Sequence, residues 1–136
     1  MPASIREIVG VYHADGGVMG ELRYVLGKAR GTAHCALCDI THGSVRKKSE
    51  WRDLETDLDL PLFLVHLNEQ PDELREFTRG RTPAVAWEDR HGFQLLFGPP
   101  ELDDFDGSVT LFRKALLQML VAKGPGTAGG TDDLDV

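Results

Sequence analysis

The chain has 136 residues, 41% of them apolar and 27% charged, with a formal net charge of −7. That length suits one domain around one core, and the composition is ordinary for a globular protein. The acidic balance excludes a general nucleic-acid binder, which presents a basic face; the short Arg46-Lys47-Lys48 cluster reads as a solvated face or helix end.

Residues 5–13 are short and rich in β-branched side chains (Ile5, Ile8, Val9, Val11), which predicts a buried strand. Asp15-Gly16-Gly17 ends it as a turn. Residues 18–28 read as a helix with Leu22, Val25 and Leu26 on one face, and Gly31 as its stop. A helix starting near Cys35 follows, carrying Leu37 and Ile40, with Gly43-Ser44 as an interruption. Ser49 precedes a second helical run with Trp51, Leu54 and Leu58 on one face, and Pro61 closes the region.

Residues 62–67 form a nearly continuous apolar run, a pattern that suits a strand covered on both faces. Pro71 fits the first position of a helix, with Asp72 and Glu73 favoured at its positive end. Leu74 and Phe77 face inward from that helix and Gly80 ends it. Thr82-Pro83 opens a strand over residues 84–87, Glu88 to Gly92 is a polar turn, and residues 93–97 return as an antiparallel partner. Glu101, Asp103, Asp104 and Asp106 read as solvated loop and helix-start charges. Ser108 caps a last helix whose buried face holds Phe112, Leu116, Met119 and Leu120. From Gly124 onward the Gly-, Thr- and Asp-rich composition predicts a disordered acidic tail, residues 124–136, after a domain of residues 1–123. The order is strand, helices, strand, helix, strand, strand, helix. It predicts an α/β fold with a central mixed sheet of about four strands flanked by helices.

The segment His34-Cys35-Ala36-Leu37-Cys38-Asp39-Ile40-Thr41-His42 holds both cysteines and two of the five histidines. No apolar stretch approaches the roughly 20 residues that span a bilayer. The N-terminus, MPASIREIVG, has no long apolar run behind a basic start, so we expect a cytoplasmic protein with no membrane partner. In a reducing cytosol a C-x-x-C pair is redox-active or metal-binding more often than a structural staple. A disulfide at this spacing closes a very small loop, so its effect on the unfolded chain is small.

Three readings of the segment stand open. As a redox pair, Cys35 would lie at a helix start, where thiolate formation is favoured over the free value of about 8.5. As a metal site, Cys35, Cys38 and His42 at i, i+3 and i+7 share one helix face, and His34 lies a turn from Cys38. Two thiolates and one or two imidazoles suit zinc, although zinc sites normally draw on two separated ligand pairs. As inert packing, the two cysteines are small buried residues and the histidines caps or surface groups. Haem attachment is disfavoured because Asp39 follows the second cysteine.

The element order, the Cys35-Ala36-Leu37-Cys38 motif and Arg81-Thr82-Pro83 ahead of Ala84-Val85-Ala86-Trp87 resemble the thioredoxin-like fold. The resemblance covers most of the chain and implies a three-layer architecture. It implies thiol-disulfide oxidoreductase activity, with Cys35 as the attacking cysteine and Cys38 as the resolving one. Pro83 would be a cis-proline beside them, and the backbone of Thr82 would pair with an extended substrate. On that basis no cofactor is expected, with zinc as the alternative. The substrate or partner is an unidentified protein or small-molecule thiol or disulfide. This chain departs from the family in three places: the helix over residues 18–28 precedes the motif, His34 stands where an aromatic is usual, and no proline lies beside or between the cysteines. A thioredoxin-like scaffold that only binds a partner is a further possibility. If the first strand ends as a thioredoxin strand does, the following loop lies near the cysteines and His13 joins them.

Other motifs fail on their residues. Gly27-Lys28 has Leu22 and Ala29 where a phosphate loop needs Gly and Ser or Thr. The acidic group does not follow the EF-hand spacing. No serine sits in a nucleophile-elbow pattern. Trp51 and Trp87 are core candidates, and Tyr12 and Tyr24 have no assignable partners.

Overall fold

The computed structural model describes residues 5–14, 35–42 and 47–123. The predicted helix over residues 18–28, the Asp15-Gly16-Gly17 turn, His34 and the predicted tail lie outside these.

Four strands form one mixed sheet: β1 (Ile5–Val11), β2 (Leu62–Val65), β3 (Ala84–Asp89) and β4 (Gly92–Phe97), in the order β2-β1-β3-β4. β1 pairs parallel with β2 and antiparallel with β3, and β3 and β4 make an antiparallel hairpin. The helices are α1 (Ala36–Thr41), α2 (Ser49–Asp57), α3 (Asp72–Thr78), α4 (Pro99–Asp104) and α5 (Val109–Lys123), with a 3-10 turn at Leu67–Glu69.

The period-2 alternation of β1 assigns its side chains to two cores. Ile8 joins Val85 and Trp87 under Leu37, Ile40, Trp51, Leu54, Leu102, Phe112 and Leu116. Val9 and Val11 face the other way and meet Leu74 of α3, with Ala86 from the neighbouring strand. Helices therefore cover both faces of the sheet. Burial of these stripes is the main force holding the helices in place, because helices this short are marginal alone.

Residues 62–67 depart from the expectation of a strand covered on both faces. Only Leu62–Val65 is strand, it lies at the edge of the sheet, and Phe63 is 51% exposed. Leu67 belongs to the 3-10 turn. Pro71 is the N-cap of α3 and not its first residue. Gly80 follows that helix with φ 73°, the left-handed conformation that suits glycine after a helix end. Residues 99–104, read as an acidic loop, are the helix α4. Its prolines occupy the first turn, where no intrahelical N–H is needed, and Glu101 Oε1 accepts the Gly98 N–H at 2.8 Å. Ser108 caps α5 as expected, its Oγ accepting the Leu111 N–H at 3.1 Å.

Gly10 lets α1 approach the sheet closely. A Cβ at this position would stand 3.0 Å from Leu64 Cδ2 and 3.2 Å from Leu37 Cδ2. Gly10→Val is expected to destabilise by about 1–3 kcal/mol through overpacking, whereas Gly10→Ala needs only small shifts of two leucine ends. Urea unfolding midpoints of the two variants check this.

Candidate functional site

The strand registers assemble the site. Val11 pairs with Ala84, so residues 12–13 leaving β1 lie opposite residues 82–83 entering β3. Val11 also pairs with Val65, and the Tyr12 N–H donates to the Val65 carbonyl at 2.9 Å, which brings His66 alongside. Above this end of the sheet begins α1, with Cys35 as its N-cap in extended conformation.

Cys35 is fully buried, at 0% exposure, and belongs to the larger core, while Cys38 is part-buried. Two backbone donors converge on Cys35 Sγ, the N–H of Cys38 at 3.3 Å and that of His13 at 3.4 Å. The Cys38 thiol donates to the same sulfur and does most to lower the Cys35 pKa. Burial opposes it, the two backbone N–H groups assist it, and the Asp39 carboxylate opposes it weakly. The balance leaves Cys35 at about 7, below the ordinary cysteine range. No disulfide joins the two cysteines.

His13 ties this sulfur to the third strand. Its backbone N–H reaches Cys35 and its exposed Nδ1 hydrogen-bonds Thr82 Oγ1 at 2.8 Å. The Thr82–Pro83 peptide is cis, and Pro83 is buried. Cys35, Cys38, His13 and Thr82 are thus linked by hydrogen bonds across three separate stretches of chain.

A second polar group adjoins them. The Tyr12 hydroxyl lies 2.9 Å from Thr41 Oγ1, which lies 2.7 Å from His42 Nδ1. Burial pushes the Tyr12 pKa far up, so the phenol stays protonated at neutral pH. Its ring meets that of His66 at 5.0 Å between centroids. His66 in turn holds Glu69 Oε1 at 2.8 Å from both its backbone N and its Nδ1, which lowers the Glu69 pKa. Sequence reasoning found no partner for Tyr12 and put His66 within the apolar run over residues 62–67, able to join a site only through the fold. The available signal was the strand end itself, since parallel neighbours deliver their C-terminal residues to one edge. Tyr12→Phe is expected to cost about 0.5–1.5 kcal/mol, because Thr41 keeps its contact with His42. Thermal or urea unfolding of the variant measures it.

For the metal reading, α1 ends at Thr41 and His42 has extended backbone (φ −124°, ψ 150°). The i, i+7 relation of Cys35 to His42 is therefore not carried on one helix. Among the described residues no three His, Cys, Asp or Glu side chains gather where they could hold one ion. His34 lies outside them. The acidic residues Asp39, Asp103 and Asp106 line a pocket with Ala36, Leu102 and Gly107. No helix among the described residues is long and apolar enough to cross a membrane.

Comparison of the chain with protein-family models, curated proteins and solved structures finds no match.

Proposed function

We propose that the protein carries out thiol–disulfide exchange through Cys35 and Cys38 on a thioredoxin-like scaffold. The observation that carries this reading is the convergence of two backbone N–H groups, those of His13 and Cys38, on Cys35 Sγ, with the Cys38 side chain beside it lowering its pKa further. Those donors stabilise a thiolate inside the protein at neutral pH, and a thiolate is the species that attacks a disulfide. The strand order β2-β1-β3-β4, and the cis Thr82–Pro83 bond just ahead of Ala84, the partner of Val11 at the end of β1, support the scaffold assignment. Fold alone does not establish an activity, so the sulfur chemistry bears the weight.

The test is equilibration of the full chain in mixtures of reduced and oxidised dithiothreitol, followed by acid quench and intact mass. The expected result is a reversible dithiol-to-disulfide transition within the chain. A protein that remains dithiol throughout these mixtures ends the reading.

A further inference from the structure

The two sulfurs differ in access. Cys35 is 0% exposed and packs among the core residues, whereas Cys38, one turn further along α1, is part-exposed. The Cys38 side chain lies beside Cys35 and favours the charged form of Cys35, so Cys38 is the one that holds the proton when the pair carries one. A disulfide brought from outside meets Cys38 first, and a fully covered sulfur cannot be the point of entry. Resting on the exchange reading above, we infer that Cys38 is the substrate-facing cysteine and Cys35 the internal one that closes the disulfide. This reverses the order implied by the family resemblance, in which Cys35 attacks and Cys38 resolves.

The proton on the Cys38 sulfur passes to the Cys35 thiolate along their hydrogen bond, and the freed Cys38 electron pair attacks one sulfur of an external disulfide. The Cys38–substrate S–S bond forms, the substrate's own S–S bond breaks, and the first substrate thiolate leaves. That thiolate takes up the proton now on Cys35. Cys35 then attacks Cys38 Sγ, the internal S–S bond forms, and the mixed disulfide breaks to release the second substrate thiolate, which is protonated by solvent. The chain loses two electrons and the external disulfide gains them. The two backbone N–H groups at Cys35 serve the internal step, because they hold the closing sulfur as thiolate without exposing it to other oxidants.

The probe is hydroxyethyl disulfide, which is small and neutral. Cys35→Ser, which keeps Cys38, should accumulate one mixed disulfide on the native protein. Cys38→Ser, which keeps Cys35, should be modified at least about tenfold more slowly until urea unfolds it, as expected of a covered thiol. Reduced wild-type protein, given a limiting amount of iodoacetamide and then fragmented for mass analysis, should carry its first label on Cys38; this holds even if a serine variant unfolds. First labelling at Cys35, or modification of native Cys38→Ser as fast as Cys35→Ser, overturns the inference. With wild-type protein the probe also separates the two ideas. Formation of the internal disulfide with Cys35 labelled first leaves the exchange reading standing and removes this one. A wild-type reaction that halts as a mixed disulfide on Cys38 keeps Cys38 as the point of entry but removes both the exchange reading and the closing role of Cys35.

Discussion

Cys38→Ala should raise the Cys35 titration from about 7 into the ordinary cysteine range, and Cys38→Ser should raise it less. Alanine removes the donor that does most to hold Cys35 low, while a serine hydroxyl can still donate. The N–H groups of His13 and Cys38 remain in both variants, at 3.4 and 3.3 Å from Cys35 Sγ. Thiolate ultraviolet absorbance against pH reads the change without requiring a reagent to reach the buried sulfur. A midpoint that does not move in Cys38→Ala removes the thiol–thiolate hydrogen bond from the account.

The same shift links stability to pH. Cys35 titrates lower in the folded protein than in the unfolded chain, so the folded state holds the charged form more readily. The resulting stabilisation is fully present above the unfolded value of about 8.5 and is lost as pH falls through about 7. Wild-type stability should therefore rise from about pH 6 to about pH 9 by on the order of 2 kcal/mol from this group. Cys35→Ala should flatten that rise, as unfolding in urea at the two pH values would show. A slope unchanged by the substitution assigns the pH dependence to other groups.

Phe112→Ala is expected to cost about 3–5 kcal/mol, a large share of the roughly 5–15 kcal/mol that holds a domain of this kind together. Phe112 is 0% exposed and sits among three aromatic rings: Trp51 at 5.1 Å, Phe97 at 5.5 Å and Phe105 at 5.9 Å between centroids. It joins α5 to α2, to the sheet and to the segment after α4, so its loss opens a cavity that no single neighbour fills. Leu111, next to it on α5 but 48% exposed, is the contrast. Leu111→Ala should stay within about 0.5 kcal/mol, since a surface change on a helix loses little packing. Urea unfolding of both variants at one pH gives the comparison, and equal losses would mean that α5 does not pack as described.

Much of this fold is legible in local pattern. The β-branched run of β1, the hairpin of β3 and β4, and the apolar stripes of α2, α3 and α5 each follow from side-chain periodicity over a few turns or residues. The start of α1 at the cysteine pair is legible for the same reason. α4 was missed because Gly98-Pro99-Pro100 reads as a loop, although proline belongs to a first helical turn and Glu101 supplies the returning cap. The apolar run over residues 62–67 misled in the other direction. Apolar content alone cannot tell a central strand from an edge strand whose outer residues, such as Phe63, face solvent.

By itself the sequence determined that two sulfurs lie three residues apart at a helix start and that the chain alternates strands and helices. Those properties depend on residues close together along the backbone. Only the tertiary structure decided that Thr82 meets His13, that Tyr12 lies between Thr41 and His66, and that Cys35 is the buried cysteine and Cys38 the part-buried one. Each depends on which strands pair and in what register, and on what packs over the sheet end. Those outcomes come from burying apolar surface across the whole chain, and no short segment carries enough of it to specify them.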